Sequence, residues 1–230
     1  MSTYVFSDIH GNMTLFKAIQ DFLKDDDVCY CLGDCADRGP DGWAIIKEAM
    51  RDPRIKYIKG NHEDFLVHAM SQFYSDGITD YDFMLWIQNG GEPTYAAMLA
   101  DQSAEQWVYP IKKLPIYEKY VNKDGIIIHL SHAGFNPKEG ITENITSYSN
   151  MLLWGRDHIM SQRWSGEDKE LVVHGHTPTE YLCRKLRIPF KDGAVWYLNN
   201  HKIDIDCGTI ITNKTVLLDL DTLDETIFQL

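Results

Sequence analysis

No apolar run in this 230-residue chain approaches the roughly 20 residues of a bilayer-spanning helix, so no membrane partner is expected. The opening MSTYVFSDIHG has no basic stretch, no apolar stretch after it and no small-residue cleavage site, so no secretory signal is expected. Cysteine is sparse. There are five, odd in number and unevenly spread, which argues against a disulfide framework. The expected environment is therefore cytoplasmic and reducing. Internal repeats and low-complexity linkers are missing, so a single domain over 1–230 is the economical reading. Positive charge is in deficit as well. Lys and Arg total 22 against 34 Asp and Glu, a formal net charge of -12. No basic stripe offers a face to a phosphate backbone, so nucleic acid is not an expected partner. The same field repels small phosphates too. A phosphate site here would need strong local positive charge, and metal ions can supply it.

What is present is a hydrophobic fraction of 44%, enough for a sizeable core. Tyr4 to Ser7 reads as a strand, and Asn12 as an N-cap for a helix whose apolar face is Leu15, Phe16, Ile19, Phe22 and Leu23. Val28 to Leu32 is a second strand. Pro40-Asp41-Gly42 opens a second helix, and Ile55 to Ile58 is a third strand. The alternation implies βαβ units and parallel pairing. Residues 64–110 are rich in aromatics and read as helical, broken near Gly90-Gly91. Beyond Pro115 the pattern turns to strands, with Asn122-Lys123-Asp124-Gly125 as a hairpin turn and a short helix around Ser147 to Trp154. Further strands are expected near 171–174, 195–199, 202–206, 215–220 and 225–229.

Five polar clusters each follow a predicted strand: Asp8-Ile9-His10, Gly33-Asp34 through Arg38, Gly60-Asn61-His62-Glu63, Ser131-His132-Ala133-Gly134 and His174-Gly175-His176-Thr177. Ligands of α/β sheets bind outside the carboxyl ends of strands, so these clusters should converge on one crevice. The donors are oxygen and nitrogen, a set suited to Mn, Fe or Zn, and to Mg where carboxylates dominate. Asp8, His10, Asp34, Asn61, His132 and His176 make six candidate ligands, too many for one catalytic ion. Two ions sharing one carboxylate fit better, and Asp34, between the other clusters, is the candidate bridge. Each cluster alone has a plainer reading as a turn or a helix cap. In His174-x-His176 the two rings should face opposite sides, with His176 in the site. His129 reads as a core histidine. The pairs Asp204-x-Asp206 and Asp219-x-Asp221 read as solvated strand faces.

At these residues the chain resembles the PPP family of metal-dependent phosphoprotein phosphatases. The family's D-x-H-G, G-D-x-x-D-R-G, G-N-H-E, H-A/G-G and late G-H-T stand here as Asp8 to Gly11, Gly33 to Gly39, Gly60 to Glu63, His132 to Gly134 and Gly175 to Thr177. Trp86-Ile87-Gln88-Asn89-Gly90-Gly91-Glu92-Pro93-Thr94 and Leu152-Leu153-Trp154-Gly155-Arg156 resemble motifs of its bacterial and phage branch. The resemblance implies an α/β fold with two mixed sheets packed face to face and helices outside. It implies two divalent metals, manganese first, one held by Asp8, His10 and Asp34, the other by Asp34, Asn61, His132 and His176. It implies His62 as general acid, Asp37 as the residue orienting it, and Arg38, Asn61 and Arg156 around the phosphoryl group. The reaction implied is hydrolysis of phosphoserine or phosphothreonine in proteins, with phosphotyrosine as a further candidate substrate, by direct attack of a metal-bridging hydroxide. The 64–110 segment would carry specificity.

Three other readings compete. Diadenosine tetraphosphatases share most of these motifs, although many carry Ala where this chain has Asp37. Aromatics of the 64–110 segment could stack on adenine, or could be core. An inactive metal-binding module would keep the ligands but not a full set of His62, Arg38 and Arg156. A diesterase or nuclease is disfavoured by the acidic charge. Thiolate catalysis is excluded on spacing, because none of the five cysteines begins a C-x5-R loop. Cys31 and Cys35, which flank Asp34, read as small core residues.

Overall fold

The computed structural model describes residues 1–75, 80–136, 149–161 and 163–230. Ser147, where a helix was expected to begin, lies outside the described residues, as do the side chains of Phe73 and Tyr74.

Two five-stranded mixed sheets form the centre. The first holds β1 (Thr3–Phe6), β2 (Val28–Cys31), β3 (Ile55–Tyr57), β9 (Lys214–Asp219) and β10 (Glu225–Gln229), in the order β10-β9-β1-β2-β3. β1, β2 and β3 pair in parallel, as the intervening helices α1 (Met13–Phe22) and α2 (Gly42–Arg51) require. The second sheet holds β4 (Tyr117–Val121), β5 (Ile127–Ser131), β6 (Glu170–His174), β7 (Val195–Tyr197) and β8 (Lys202–Asp204), in the order β4-β5-β6-β8-β7. Its centre, β5-β6-β8, is parallel, and β4 joins as the expected hairpin.

Side-chain alternation explains why the sheets stack. Val5 and Tyr30 point into a core shared with Ile128, Leu130, Leu171, Val173 and Ile203 of the second sheet. Their neighbours Phe6, Cys29 and Cys31 point the other way, into a core with α1, α2 and the helices of the 61–112 region. Those helices are α3 (Asn61–Ser75), α4 (Asp80–Trp86), a π-helical turn at Ile87–Gly91, α5 (Glu92–Ala100) and α6 (Ala104–Lys112). The expected break near Gly90 is this π turn, where Gly90 sits at φ 101°. Against the outer face of the second sheet lie α7 (Ser149–Trp154), α8 (Asp157–Met160) and α9 (Thr179–Leu186); α10 (Thr209–Thr212) leads into β9.

The Asp204-x-Asp206 reading needs correction. Both carboxylates are buried rather than solvated. Both faces of β8 are covered: Ile203 lies in the core between the sheets, and Lys202, on the other face, is buried under α8, where its Nζ donates to His158 O. Asp219 and Asp221 are partly exposed, and Asp219 serves the following turn by accepting the N–H groups of Asp221 and Thr222.

Candidate active site

The strand-end clusters meet at one edge of the stacked sheets. Asp8 and His10 follow β1, Asp34 to Arg38 follow β2, Asn61 and His62 open α3 after β3, His132 follows β5 and His176 follows β6. The loops are tied together by backbone hydrogen bonds. Asp8 N–H donates to Gly33 O, His10 N–H to Asp34 O and Gly175 N–H to His132 O. Gly33 is at φ 94° and faces Gly60 so closely that a Cβ on it would collide with the Gly60 backbone. Asp8, His10, Asp34, Asp37, Arg38 and His176 all adopt left-handed φ between 45° and 68°. Non-glycine residues persist there only when the surroundings over-determine them, and six such residues stand together in this crevice.

Two donor groups share Asp34: His10, Asp34 and His62 in one, and Asp34, His132 and His176 in the other, each with ligand atoms within 4.8 Å. The Oδ1 of Asn61 lies 2.8 Å from Nε2 of His132 and 2.8 Å from Nδ1 of His176, so Asn61 completes the second group. Asp8 borders both, with Oδ1 4.0 Å from His10 Nε2 and Oδ2 accepting from Ser7 Oγ and His176 N–H. The histidine tautomers suit ligation. Nδ1–H of His10 donates to Ala36 O and that of His132 to Leu32 O, which turns both Nε2 lone pairs inward. Burial pushes His10 down to about 3 and His176 to about 2, so both rings are neutral at pH 7. His132 is also fully buried, yet Asp34 and its neighbours raise it to about 9. A position that holds a proton against this much negative charge will exchange it for a cation. Buried Nε2 of His176 has no hydrogen-bond partner among the described residues. This donor set fits divalent metal.

His62 meets Asp37 through Nδ1–H···Oδ2 at 2.8 Å. Burial opposes its charged form, but the Asp34 and Asp37 carboxylates outweigh that and raise its pKa. The Arg38 guanidinium donates to Nε2 of His10 at 2.8 Å and to Nε2 of His62 at 2.9 Å. Those contacts belong to the neutral rings. A cation on His10, or a proton on His62, competes with Arg38 for the same lone pairs. Arg156 is held beside His176, bonded to Thr177 Oγ1 and His176 O. As expected, His174 turns away, to Tyr197 Oη. His129 is buried against Tyr117, as expected of a core histidine.

For some contributors the sequence showed the residue and not its role. Glu63 is fully buried, and its carboxylate accepts N–H from Asp34, Cys35, Ala36 and Gly60 and O–H from Tyr57. Asp206 is buried close to Asp8, and burial together with Asp8 pushes its carboxyl well above the usual range. Phe65 and Trp154 stand edge to face at 4.7 Å and connect His62 to His176 along one wall. Trp86 is core, packed against Phe83 and Tyr95, but its indole N–H reaches Asp37. Cys31 and Cys35 are buried, with sulfurs 3.4 Å apart and burial pushing both thiols up, which fits the core reading.

Residues 1–208 match the calcineurin-like phosphoesterases. The chain belongs to that family. The phosphoesterase is 23% identical over 142 residues to a symmetrical bis(5'-nucleosyl)-tetraphosphatase of Pectobacterium carotovorum subsp. carotovorum (strain PC1). That alignment takes in 60% of this chain and only 45% of the relative, so the chain spans less than half of that protein. Among solved structures, one provisionally assigned as a diadenosine tetraphosphatase superposes with a TM-score of 0.62 at 16% identity, over 98% of this chain and 92% of the other. A Saccharomyces cerevisiae protein serine/threonine phosphatase with similarity to human PP5 superposes at 0.57 and 12% identity, over 100% and 80%. Such likenesses establish the fold, which is the two-sheet metallophosphoesterase arrangement, and not the substrate.

Proposed function

We propose that this phosphoesterase is a metal-dependent phosphomonoesterase that hydrolyses phosphoserine and phosphothreonine in proteins. The observation that carries the reading is the His62–Asp37 pair beside Arg38. A serine or threonine alkoxide is a poor leaving group and must be protonated as it departs, whereas a nucleoside polyphosphate leaves as a stable anion. A buried imidazole held by a carboxylate is built for the first task. Water adds to phosphorus, the ester bond breaks with its electron pair on the serine oxygen, and that oxygen takes the proton from Nε2 of His62. Inorganic phosphate and the alcohol are the products, and the proton that water releases restores the balance. Arg38 and Arg156 offer planar forks to the phosphoryl oxygens.

Two donor groups sharing Asp34 support two divalent ions, manganese first, with Fe, Zn or Mg able to use the same ligands. Asp8, His10 and Asp34 would hold one, and Asp34, Asn61, His132 and His176 the other. Bound, they would supply positive charge at the phosphoryl oxygens and a water nucleophile active at neutral pH.

The tetraphosphatase relative favours a second reading, hydrolysis of dinucleoside polyphosphates. The deciding experiment compares phosphoserine, phosphothreonine and phosphotyrosine peptides with diadenosine tetraphosphate, on manganese-loaded protein of known metal content. Higher kcat/KM on phosphoserine and phosphothreonine peptides is expected. Preference for the dinucleotide would replace this reading with the second.

A further inference from the structure

The Trp86 to Thr94 motif lies in the helical 64–110 region, yet three of its residues, Trp86, Gly90 and Thr94, converge on the loop that carries Asp37 and Arg38. Trp86 Nε1–H donates to Asp37 Oδ2 at 2.8 Å, the same oxygen that takes His62 Nδ1–H. Thr94 Oγ1 accepts Asp37 N–H at 2.9 Å. Gly90 O accepts Arg38 N–H at 2.8 Å. The indole plane rests against Gly91, where a Cβ would strike it, and Gly90 at φ 101° gives the same clearance to the Arg38 stem. Asp37 and Arg38 are consecutive left-handed residues, at φ 67° and 65°. Asp37 is fully buried, and its Oδ1 is without a partner among the described residues. His62 and Trp86 are therefore what orient its carboxylate.

We propose that Trp86 is a positioning residue for the proton donor: its indole N–H fixes the Asp37 carboxylate, and through it the His62 ring, at the leaving-group side of the phosphoryl site. The π turn and Gly91 seat the indole there, and Gly90 admits the Arg38 stem beside it. The core of the 64–110 segment thereby sets how well the enzyme protonates a departing oxygen. The inference rests on the proposed role of His62 as acid.

The test is the leaving-group dependence of manganese-loaded Trp86→Phe, which keeps an aromatic ring and deletes the N–H. A lost acid hurts a basic leaving group and spares an acidic one. For phenyl phosphate kcat should fall about tenfold or more, towards the 10²–10⁴ that acid catalysis spans, while 2,4-dinitrophenyl phosphate changes by less than about twofold and KM stays level. Gly91→Ala, which displaces an intact indole, should give the same signature. In an Asp37→Asn background Trp86→Phe should add nothing further. Equal losses on both substrates, or none, would overturn the assignment, because a merely structural tryptophan affects all substrates alike. A second readout is independent of turnover. In ¹⁵N-labelled, magnesium-loaded protein the His62 Nδ1–H proton should exchange with solvent faster in Trp86→Phe than in wild type; an unchanged exchange rate would also overturn it. If wild type hydrolyses no aryl phosphate, the functional reading fails, and the exchange measurement still decides the brace.

Discussion

Glu63 and Asp206 are carboxylates buried in the same rim, and the protein treats them in opposite ways. Glu63 receives five donors, four backbone N–H groups and the Tyr57 hydroxyl. Five donors and no acceptor require its ionised form, although burial and Asp34 push the carboxyl upward. Asp206 receives one N–H, from Gly208, and faces Asp8. Glu63 is complete within the chain and pins the 33–37 loop to the start of α3. Asp206 and Asp8 are carboxylates that burial and neighbouring acids push upward, whereas at Asp34 the His132 and His62 rings outweigh burial and hold the carboxyl well below the usual range. The difference separates scaffold from reactive centre: the first is finished by folding, the second by a cation.

Substitutions on the two sides should fail differently. The largest effect is expected at the reactive centre. His62→Asn should lower kcat on a phosphoserine peptide by about 10²–10⁴ while leaving the thermal midpoint nearly unchanged. A variant with wild-type turnover would remove His62 from the acid role. Glu63→Gln comes next and fails by instability. Its amide N–H groups face donors, and the ionic acceptor is lost, at a cost of about 3–5 kcal/mol in denaturant unfolding. Whatever folded protein remains should still gain stability from manganese. If Glu63→Gln instead unfolds like wild type and loses activity alone, the division between scaffold and centre is wrong.

The centre was the readable side. Asp8, His10, Asp34, Asn61, His132 and His176 stand at strand ends, and strand periodicity is visible in a sequence. So were the sheet strands, the Asn12 cap and the break at Gly90. The scaffold was not readable, because its bonds join a side chain to backbone groups far along the chain. Glu63 reaches Asp34 N–H across 29 positions, and Thr94 reaches Asp37 N–H across 57. No composition or spacing reports such pairs. Asp204 and Asp206 were misread for a related reason. Alternation shows that a strand has two faces, but whether a face meets water depends on what packs over it, here the other sheet on one side and helices on the other. Trp86 was visible as part of a motif, and its purpose emerged only when folding brought it to Asp37.

A smaller effect sharpens the comparison from the metal side. Manganese at 100 times its dissociation constant should stabilise the fold by about 2.7 kcal/mol. Asp206→Asn should shrink that gain and at the same time raise the thermal midpoint of the metal-free protein. The sign follows from linkage. A carboxyl raised above 3.8 on folding contributes stability only at low pH and loses it as pH rises, so at neutral pH the native carboxylate is a burden that the amide removes, by about 1 kcal/mol or more. A lower metal-free midpoint in Asp206→Asn would mean that the protein already satisfies this group, and Asp206 would then belong with Glu63.

Asp52 supplies the weakest contrast, a carboxylate whose partner sits near water. Arg54 grips it with Nε and Nη2, and hydrogen bonding from Arg54 lowers it to about 2. Here the linkage runs the other way. A depressed carboxyl contributes stability above its unfolded value of 3.8 and loses it as pH falls towards 2. Solvent screening limits the contribution to about 1 kcal/mol or less. Asp52→Asn should therefore unfold at slightly lower urea than wild type at pH 7, and the two curves should converge as the pH approaches 2. A gap that persists at pH 2 would assign the loss to geometry at the start of β3, where Asp52 also accepts Arg54 N–H, rather than to charge. Metal should leave the gap untouched, since this pair lies outside the centre whose charge the cation completes.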